Sequence, residues 1–555
     1  MVPKNESWKV NAEKAVKRRD ESAKLVDTYF PPLSGSNHWA KLPSELPTNV
    51  TGIPKSMLDP IDYEIVETEP LELVNQIVGK KYSAVQVAGA YLRASIIGQR
   101  LVNCATEFMP KEAYERAKEL DDYLEKHGKP MGPFHGLPIS LKEMIGLKDR
   151  YINYSLTKFV DKVADEDALI VNILRNAGSN FHIRTTQPQA LMHIEGDSNV
   201  HGVTSNPFNT RLTSGGSSAG EGAALGIHCS ALGVGTDIGG SIRWPASVQG
   251  LYGHRPTCGR TPLRGLHHFM YGAEAIPASI GPMARSLESA ILMTRLVIES
   301  EPWKKDPAVH GIKWNDEPLK GVKMLRIGIL ESDGIVTPHP PVKRAIHEVT
   351  TKLKEVKSID GIEVELVPFT PYKHDRCWDI ISSLYFEDGG EEILQHLEDT
   401  GEPLLPLTKW LITENHRVKN LGIKGLWEWN DKKAKYKEEY LSHWNRHNID
   451  ALIAPVGPGA AAEHGNSRYW HYTSQWNLLD YPSVTFPVTL VDPVKDKPNL
   501  SYTPMNELDK FNHELYSPEK FTDAPVGLQL VGLRSEDEKV LEIMRLIEKA
   551  IRASS

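Results

Sequence analysis

Apolar positions recur every three or four residues over 8–30, within 71–128 in stretches such as KEAYERAKELDDYLEKHGK, and again over DALIVNILRNAG and PVKRAIHEVTTKLKEV. That spacing lines one face of a helix. Between these segments lie short apolar runs of strand length: GLPISLKEMI, NFHIRTT, LGVGT, MLRIGIL, IEVELVPF, DALIAPV, YPSVTFPVTLV and VGLQLVG. Gly128 and Pro130 close one helix, a further helix is expected from Pro245, a long helical insertion near 376–445, and a helix after the last strand. Strands alternating with helices predict an α/β sheet layered by helices. The Pro/Ser/Gly-rich stretch PPLSGSNHWAKLPSELPTNVTGIP after the first helix reads as an extended arm laid over the rest. Residues 1–70 are therefore expected to form a helical and extended arm and 71–555 one large domain, because no flexible linker or internal repeat divides them.

Composition narrows the class of partner. Hydrophobic content of 40% with 25% charged residues is that of a globular chain, neither disordered nor membrane-spanning. The net charge is -8, and the basic runs KAVKRRD and NDKKAKYKEE are interleaved with acids, which argues against a nucleic-acid surface. The four cysteines, Cys104, Cys229, Cys258 and Cys377, are too scattered for a zinc pair and too few for a disulfide framework, so a reducing compartment is expected. The first residues are charged throughout and no apolar run approaches the ~18 residues of a membrane span, so neither a signal peptide nor stable membrane insertion is expected and the location implied is cytoplasmic.

Candidate chemistry concentrates in GLPISLKE (136–143), SGGSSAGEG (214–222) and GTDIGGSIR (235–243). In the first, Leu137, Ile139 and Leu141 alternate, placing Ser140 and Lys142 together on the opposite face of a strand. A lysine there ordinarily snorkels to water; a desolvated one becomes a neutral amine and a base. In the second, at least one of Ser217 and Ser218 is expected to cap the helix that follows. Ser218 also sits in a G-x-S-x-G window, but the polar NPFNTRLTSG before it lacks the buried strand a nucleophile elbow requires. In the third, a sharp turn at Ile238, Gly239, Gly240 and Ser241 can converge several amides on one anion, with Ser241 at its lip. Read alone, this stretch fits a connecting turn equally well, and Asp237 and Arg243 fit an ion pair bracing it. Of the histidines near these motifs, His135, His193, His201, His254, His267 and His268, none is needed as a base if the lysine serves, and the loop His267–Tyr271 is a candidate for the substrate entrance.

The order and content of GGSSAGEG followed by GVGTDIGGSIRWP resemble the amidase signature family, and PFHGLPISLKE, EPWKKDPAV, TPHPPVKRAI, TPYKHD and APVGLQLVG resemble its fungal acetamidases and general amidases. The resemblance runs from about Leu71 to the end. It implies a single large domain built on a central mixed β-sheet with helices on both faces, a catalytic core at about 130–300, and hydrolysis of small aliphatic or aromatic amides. It further implies a Lys142, Ser217, Ser241 triad in which Ser217 follows a cis peptide and Ser241 is the nucleophile. The amides of Ile238, Gly239, Gly240 and Ser241 would hold the oxyanion, and the backbone at Leu191 would face substrate. Ser217 and Ser241 lie 24 residues apart, as the family has them. Ala219 departs from the family's usual glycine, which predicts slight crowding of the pocket. No metal or cofactor is implied, and a homodimer is allowed. The signature also occurs in amidotransferase subunits, and an idle binding protein on this fold would have no need of all three residues.

Overall fold

The computed structural model describes residues 7–32, 37–356 and 358–553. Its centre is a mixed sheet of twelve strands. Numbered along the chain, these are β1 (Ala105–Phe108), β2 (Pro138–Lys142), β3 (Asn180–Thr185), β4 (Leu232–Asp237), β5 (Tyr252–Arg255), β6 (Ser279–Ala284), β7 (Met324–Ile329), β8 (Ser358–Ile359), β9 (Ile362–Pro368), β10 (Ala451–Pro455), β11 (Ser483–Leu490) and β12 (Pro525–Val531). They lie in the order β1-β3-β2-β4-β6-β5-β11-β12-β10-β7-β9-β8. The pairs β2 with β3, β2 with β4, β7 with β9 and β7 with β10 are parallel, and the remaining pairs are antiparallel.

The α/β expectation holds. All residues of the parallel strands β2, β3 and β4 are buried, so both faces are covered, as parallel pairing requires, and every residue of the antiparallel strand β12 is buried as well. On β12 the cover comes from helix Arg243–Val248 and from helices Pro340–Val356 and Asp537–Ala553. The insertion near 376–445 is helical, in four pieces: His374–Leu384, Glu391–Glu398, Pro406–Ile412 and Gly422–His447. The helix expected from Pro245 begins two residues earlier, at Arg243, with Pro245 in its first turn where a missing N–H costs nothing. Strands β1, β5, β6 and β8 did not stand out in the sequence.

The helix expected over 8–30 is broken into Ser7–Lys24 and Val26–Tyr29; the described residues after it run without regular structure to Gly52, then form helices Ile53–Met57 and Pro60–Glu67. Arg100 holds the arm by donating to the carbonyls of His38 and Ala40, and Val50 donates to Pro207. Phe30, Val50 and Met57 share one apolar cluster with Ile139, Leu141 and Val234 of β2 and β4. A second cluster contains Met144, Leu191, Trp244, Tyr385 and Trp470. Leu141 and Ile145 belong to the first cluster and Met144 to the second, so Lys142 lies on a segment that touches both.

Candidate active site

Lys142 ends β2 with no exposed surface, so the snorkelling alternative does not apply. Its Nζ lies 2.7 Å from Ser217 Oγ and 2.9 Å from Thr236 Oγ1. Burial pulls its pKa down to about 7, against the opposing pull of Asp237 and Glu221. The Thr236 hydroxyl donates to Met144 Sδ at 3.3 Å, and a thioether can only accept. Thr236 therefore accepts from Lys142, and a neutral amine that spends one N–H there keeps its lone pair for Ser217.

Behind Lys142 lies a carboxyl group. Glu221, on helix Ala219–Gly226, accepts from Ser140 Oγ at 2.6 Å and from Thr185 Oγ1 at 2.7 Å. Burial raises its pKa to about 7, opposed by those two hydrogen bonds and by Lys142. The Gly216–Ser217 peptide is cis. Neither serine hydroxyl caps the helix: Ser218 occupies the N-cap position without a side-chain cap bond, and its fully buried Oγ instead meets the Thr236 backbone, at 3.3 Å from N and 3.4 Å from O. The Ala219 methyl turns toward Gly196, where an added Cβ would approach it to 2.4 Å, so it packs against backbone.

Ser241 follows β4 through the turn at Ile238, Gly239 and Gly240 and is 5% exposed. Asp237 and Arg243 are fully buried and paired at 3.0 Å. Burial pushes the Asp237 carboxyl up, but Arg243, with Arg255 and Asn477, overrides this and holds it well below the usual carboxylate range. Asp237 also accepts from the amides of Gly240 at 2.8 Å and Ile242 at 3.1 Å. The expectation for Gly240 is corrected here, because its N–H is committed to Asp237 and is not an open oxyanion donor. Among the described residues nothing accepts from the amides of Gly239 and Ser241.

Lys142 and Ser217 thus meet at Thr236, and the Ser218 amide donates to Ser241 O at 3.2 Å, which brings the segment after the cis peptide against the turn. Leu191 lies in a short helical turn, Gln189–Leu191, where Ala190 and Leu191 adopt φ of +56° and +62°. This turn is held by a partner that sequence reasoning missed: the Gln189 amide donates to Glu402 at 2.7 Å and accepts from the Leu405 amide at 2.9 Å. His267 donates its backbone amide to Met144 O at 2.9 Å, which brings the His267–Tyr271 loop beside the site. Four more residues were missed. Tyr385 and Thr473 contact the turn's carbonyls, while Asn477 and Gln529 bind the Arg243 guanidinium at 2.6 and 3.2 Å.

The family model described as Amidase matches residues 86–541. An acetamidase of Emericella nidulans is 37% identical over 524 residues, 92% of this chain and 94% of that protein. Amidase 1 of Gibberella moniliformis is 33% identical, covering 89% of this chain and 95% of its own. A solved structure of fatty acid amide hydrolase superposes with a TM-score of 0.88 at 31% identity, covering 99% of this chain and 97% of that one.

Proposed function

The chain belongs to the amidase family, and from that premise we propose that it hydrolyses a carboxamide to a carboxylate and ammonia or an amine through an acyl-enzyme on Ser241. The observation that carries this reading is Lys142, buried without exposure, its Nζ 2.7 Å from Ser217 Oγ, and with a pKa brought down to about 7. Ser241 gives its proton to Ser217 as Ser217 gives its own to the Lys142 lone pair, and Ser241 Oγ bonds to the substrate carbonyl carbon. The carbonyl oxygen gathers negative charge against the amides of Gly239 and Ser241, with Ile238 beside them. Ser217 then delivers a proton to the departing nitrogen and recovers one from Lys142, and the C–N bond breaks. Water repeats the sequence on the acyl-enzyme, with Lys142 again taking the proton. The backbone at Leu191 lines the substrate side, and Asp237 and Arg243 hold the turn rigid.

We take the substrates to be small aliphatic or aromatic amides, because the acetamidase similarity extends over 94% of that relative's length. The Ser218 alternative is disfavoured by that hydroxyl's full burial against Thr236. All four cysteines are free, Cys104 and Cys229 with sulfurs only 4.0 Å apart, which suits a reducing, cytoplasmic setting. No helix among the described residues is long and apolar enough to cross a membrane.

The test is release of ammonia from acetamide, hexanamide and benzamide by the wild type and by Ser241→Ala. Turnover of at least one amide by the wild type alone supports the reading, and equal turnover by both enzymes removes it. The pH profile is a second check. Only the neutral amine accepts a proton, so kcat/KM is expected to climb about tenfold per pH unit on the acid side and level off above about 7, where Lys142 titrates. Lys142→Ala should abolish that limb and cost about 10²- to 10⁴-fold. An unchanged limb in the variant would assign it to another group.

A further inference from the structure

The turn before Ser241 is anchored on its outer side by two hydroxyls from helices far away in the chain. Tyr385, directly after helix His374–Leu384, donates its phenolic hydrogen to Ile238 O at 3.0 Å. Thr473, in the first turn of helix His471–Leu479, donates to Gly239 O at 2.6 Å. The next carbonyl, Gly240 O, accepts from Trp244 N at 2.7 Å. Because a trans peptide is planar, fixing a carbonyl in one direction aims the following N–H the opposite way. Tyr385 thus turns the Gly239 N–H away from itself, Thr473 turns the Gly240 N–H onto Asp237, and Trp244 turns the Ser241 N–H away from its helix. The amides of Gly239 and Ser241, for which the described residues offer no acceptor, flank the one that is held.

This close approach explains both glycines. A Cβ on Gly239 would lie 2.7 Å from the Tyr385 hydroxyl, and one on Gly240, whose φ is +129°, would lie 2.4 Å from Thr473 Oγ1. Tyr385 is 3% exposed, and burial pushes its phenol well above the ordinary range, so it keeps the proton it donates. Its ring stands against Phe386 and Trp470, which leaves the hydroxyl little freedom to leave the carbonyl.

We propose that Tyr385 and Thr473 are positioning residues for amide hydrolysis: Tyr385, holding Ile238 O, aims the Gly239 amide at the developing oxyanion, and Thr473, holding Gly239 O, keeps the next peptide's N–H on Asp237 and so fixes the turn between the Gly239 and Ser241 amides. This rests on the reading of Ser241 as nucleophile. A donor that is misaimed only in the transition state lowers kcat and leaves ground-state binding alone. Tyr385→Phe keeps the ring and loses the hydroxyl, Thr473→Val keeps the shape and loses the hydroxyl, and Thr473→Ser keeps the hydroxyl.

On whichever of acetamide, hexanamide and benzamide the wild type hydrolyses fastest, Tyr385→Phe and Thr473→Val are each expected to lower kcat about ten- to a hundredfold, less than full loss of an oxyanion donor. KM should stay within about twofold, and Thr473→Ser should stay within about threefold of wild type in kcat. The inference is overturned if both hydroxyl-less variants keep wild-type kcat, if KM rises while kcat holds, or if Thr473→Ser is as impaired as Thr473→Val. Should one variant fail to fold, the other decides. Activity retained by Ser241→Ala would instead defeat the reading beneath it, so the two failures are distinguishable.

Discussion

Ser241→Ala is expected to lose about 10⁴-fold or more in kcat/KM on any amide the enzyme turns over, the scale seen when a serine hydrolase loses its nucleophile. The change removes one oxygen from a side chain that is 5% exposed and sits in a turn held by Asp237, Tyr385 and Thr473. Those contacts run through backbone carbonyls, amides and other side chains, so the turn should persist and stability should change by less than about 1 kcal/mol. Ser218→Ala is the matched control, one residue from Ser217 and with a hydroxyl already engaged by Thr236. It is expected to stay within about tenfold of wild type, since it removes neither the attacking oxygen nor a proton carrier. Comparing kcat/KM and melting temperature for the two variants separates a chemical loss from a folding loss.

Arg243→Ala carries the second large effect, and it falls on stability as well as rate. The guanidinium is fully buried and donates to both Asp237 oxygens, to Thr473 O at 3.0 Å, to Asn477 Oδ1 at 2.6 Å and to Gln529 Oε1 at 3.2 Å. Removing it leaves the Asp237 carboxylate buried without its countercharge, a situation that costs about 3–5 kcal/mol. A urea titration should show that loss as a lower midpoint with little change in slope. Lysine cannot reproduce the planar fork that reaches four partners, so Arg243→Lys is expected to recover only part of it. Because Asp237 also holds the Gly240 and Ile242 amides, the surviving folded enzyme should be slower too. Wild-type stability in Arg243→Ala would mean that the pair is dispensable to the turn.

The parts of the site legible in the sequence are those whose chemistry leaves a local mark. A turn that brings carbonyls against distant hydroxyls needs adjacent glycines, so Gly239 and Gly240 announced the stretch around Ser241. Strand alternation placed Ser140 and Lys142 on one side of β2, where the former meets Glu221 and the latter Ser217. Tyr385, Thr473, Asn477, Gln529 and Glu402 left no such mark, because each contributes a single polar group from a helix, strand or loop of ordinary composition. They come from beyond residue 300, outside the core of about 130–300 implied by the resemblance. What selects them is the sheet order, which places β12 beside β11, and β11 beside β5, so that the second half of the chain closes over helix Arg243–Val248.

Two of the four unexpected strands, β5 and β6, were hidden for a related reason. β5 reads YGHR, yet all four residues are buried, with Arg255 paired to Asp480 at 2.8 Å and His254 meeting Thr294 at 3.1 Å. β6 reads SIGPMA, whose glycine and proline suggest a loop although every residue is buried. A period-two pattern requires one polar face and one apolar face, and neither strand has it. Gly240 was misassigned because sequence spacing gives the number of amides in a turn and not the direction of each. That direction depends on which carbonyl finds a distant partner.

In the proposed mechanism Ser241 attacks, with its proton relayed through Ser217 to Lys142. Its most direct test is to react the wild-type enzyme with a fluorophosphonate, which phosphonylates an activated serine, and to locate the adduct by peptide mass spectrometry at pH 6 and pH 8. The adduct is expected on Ser241 alone, to form faster at pH 8 than at pH 6 as Lys142 loses its proton, and to be absent from Ser241→Ala but present in Ser218→Ala. An adduct on Ser218, or labelling that persists in Ser241→Ala, would contradict the account.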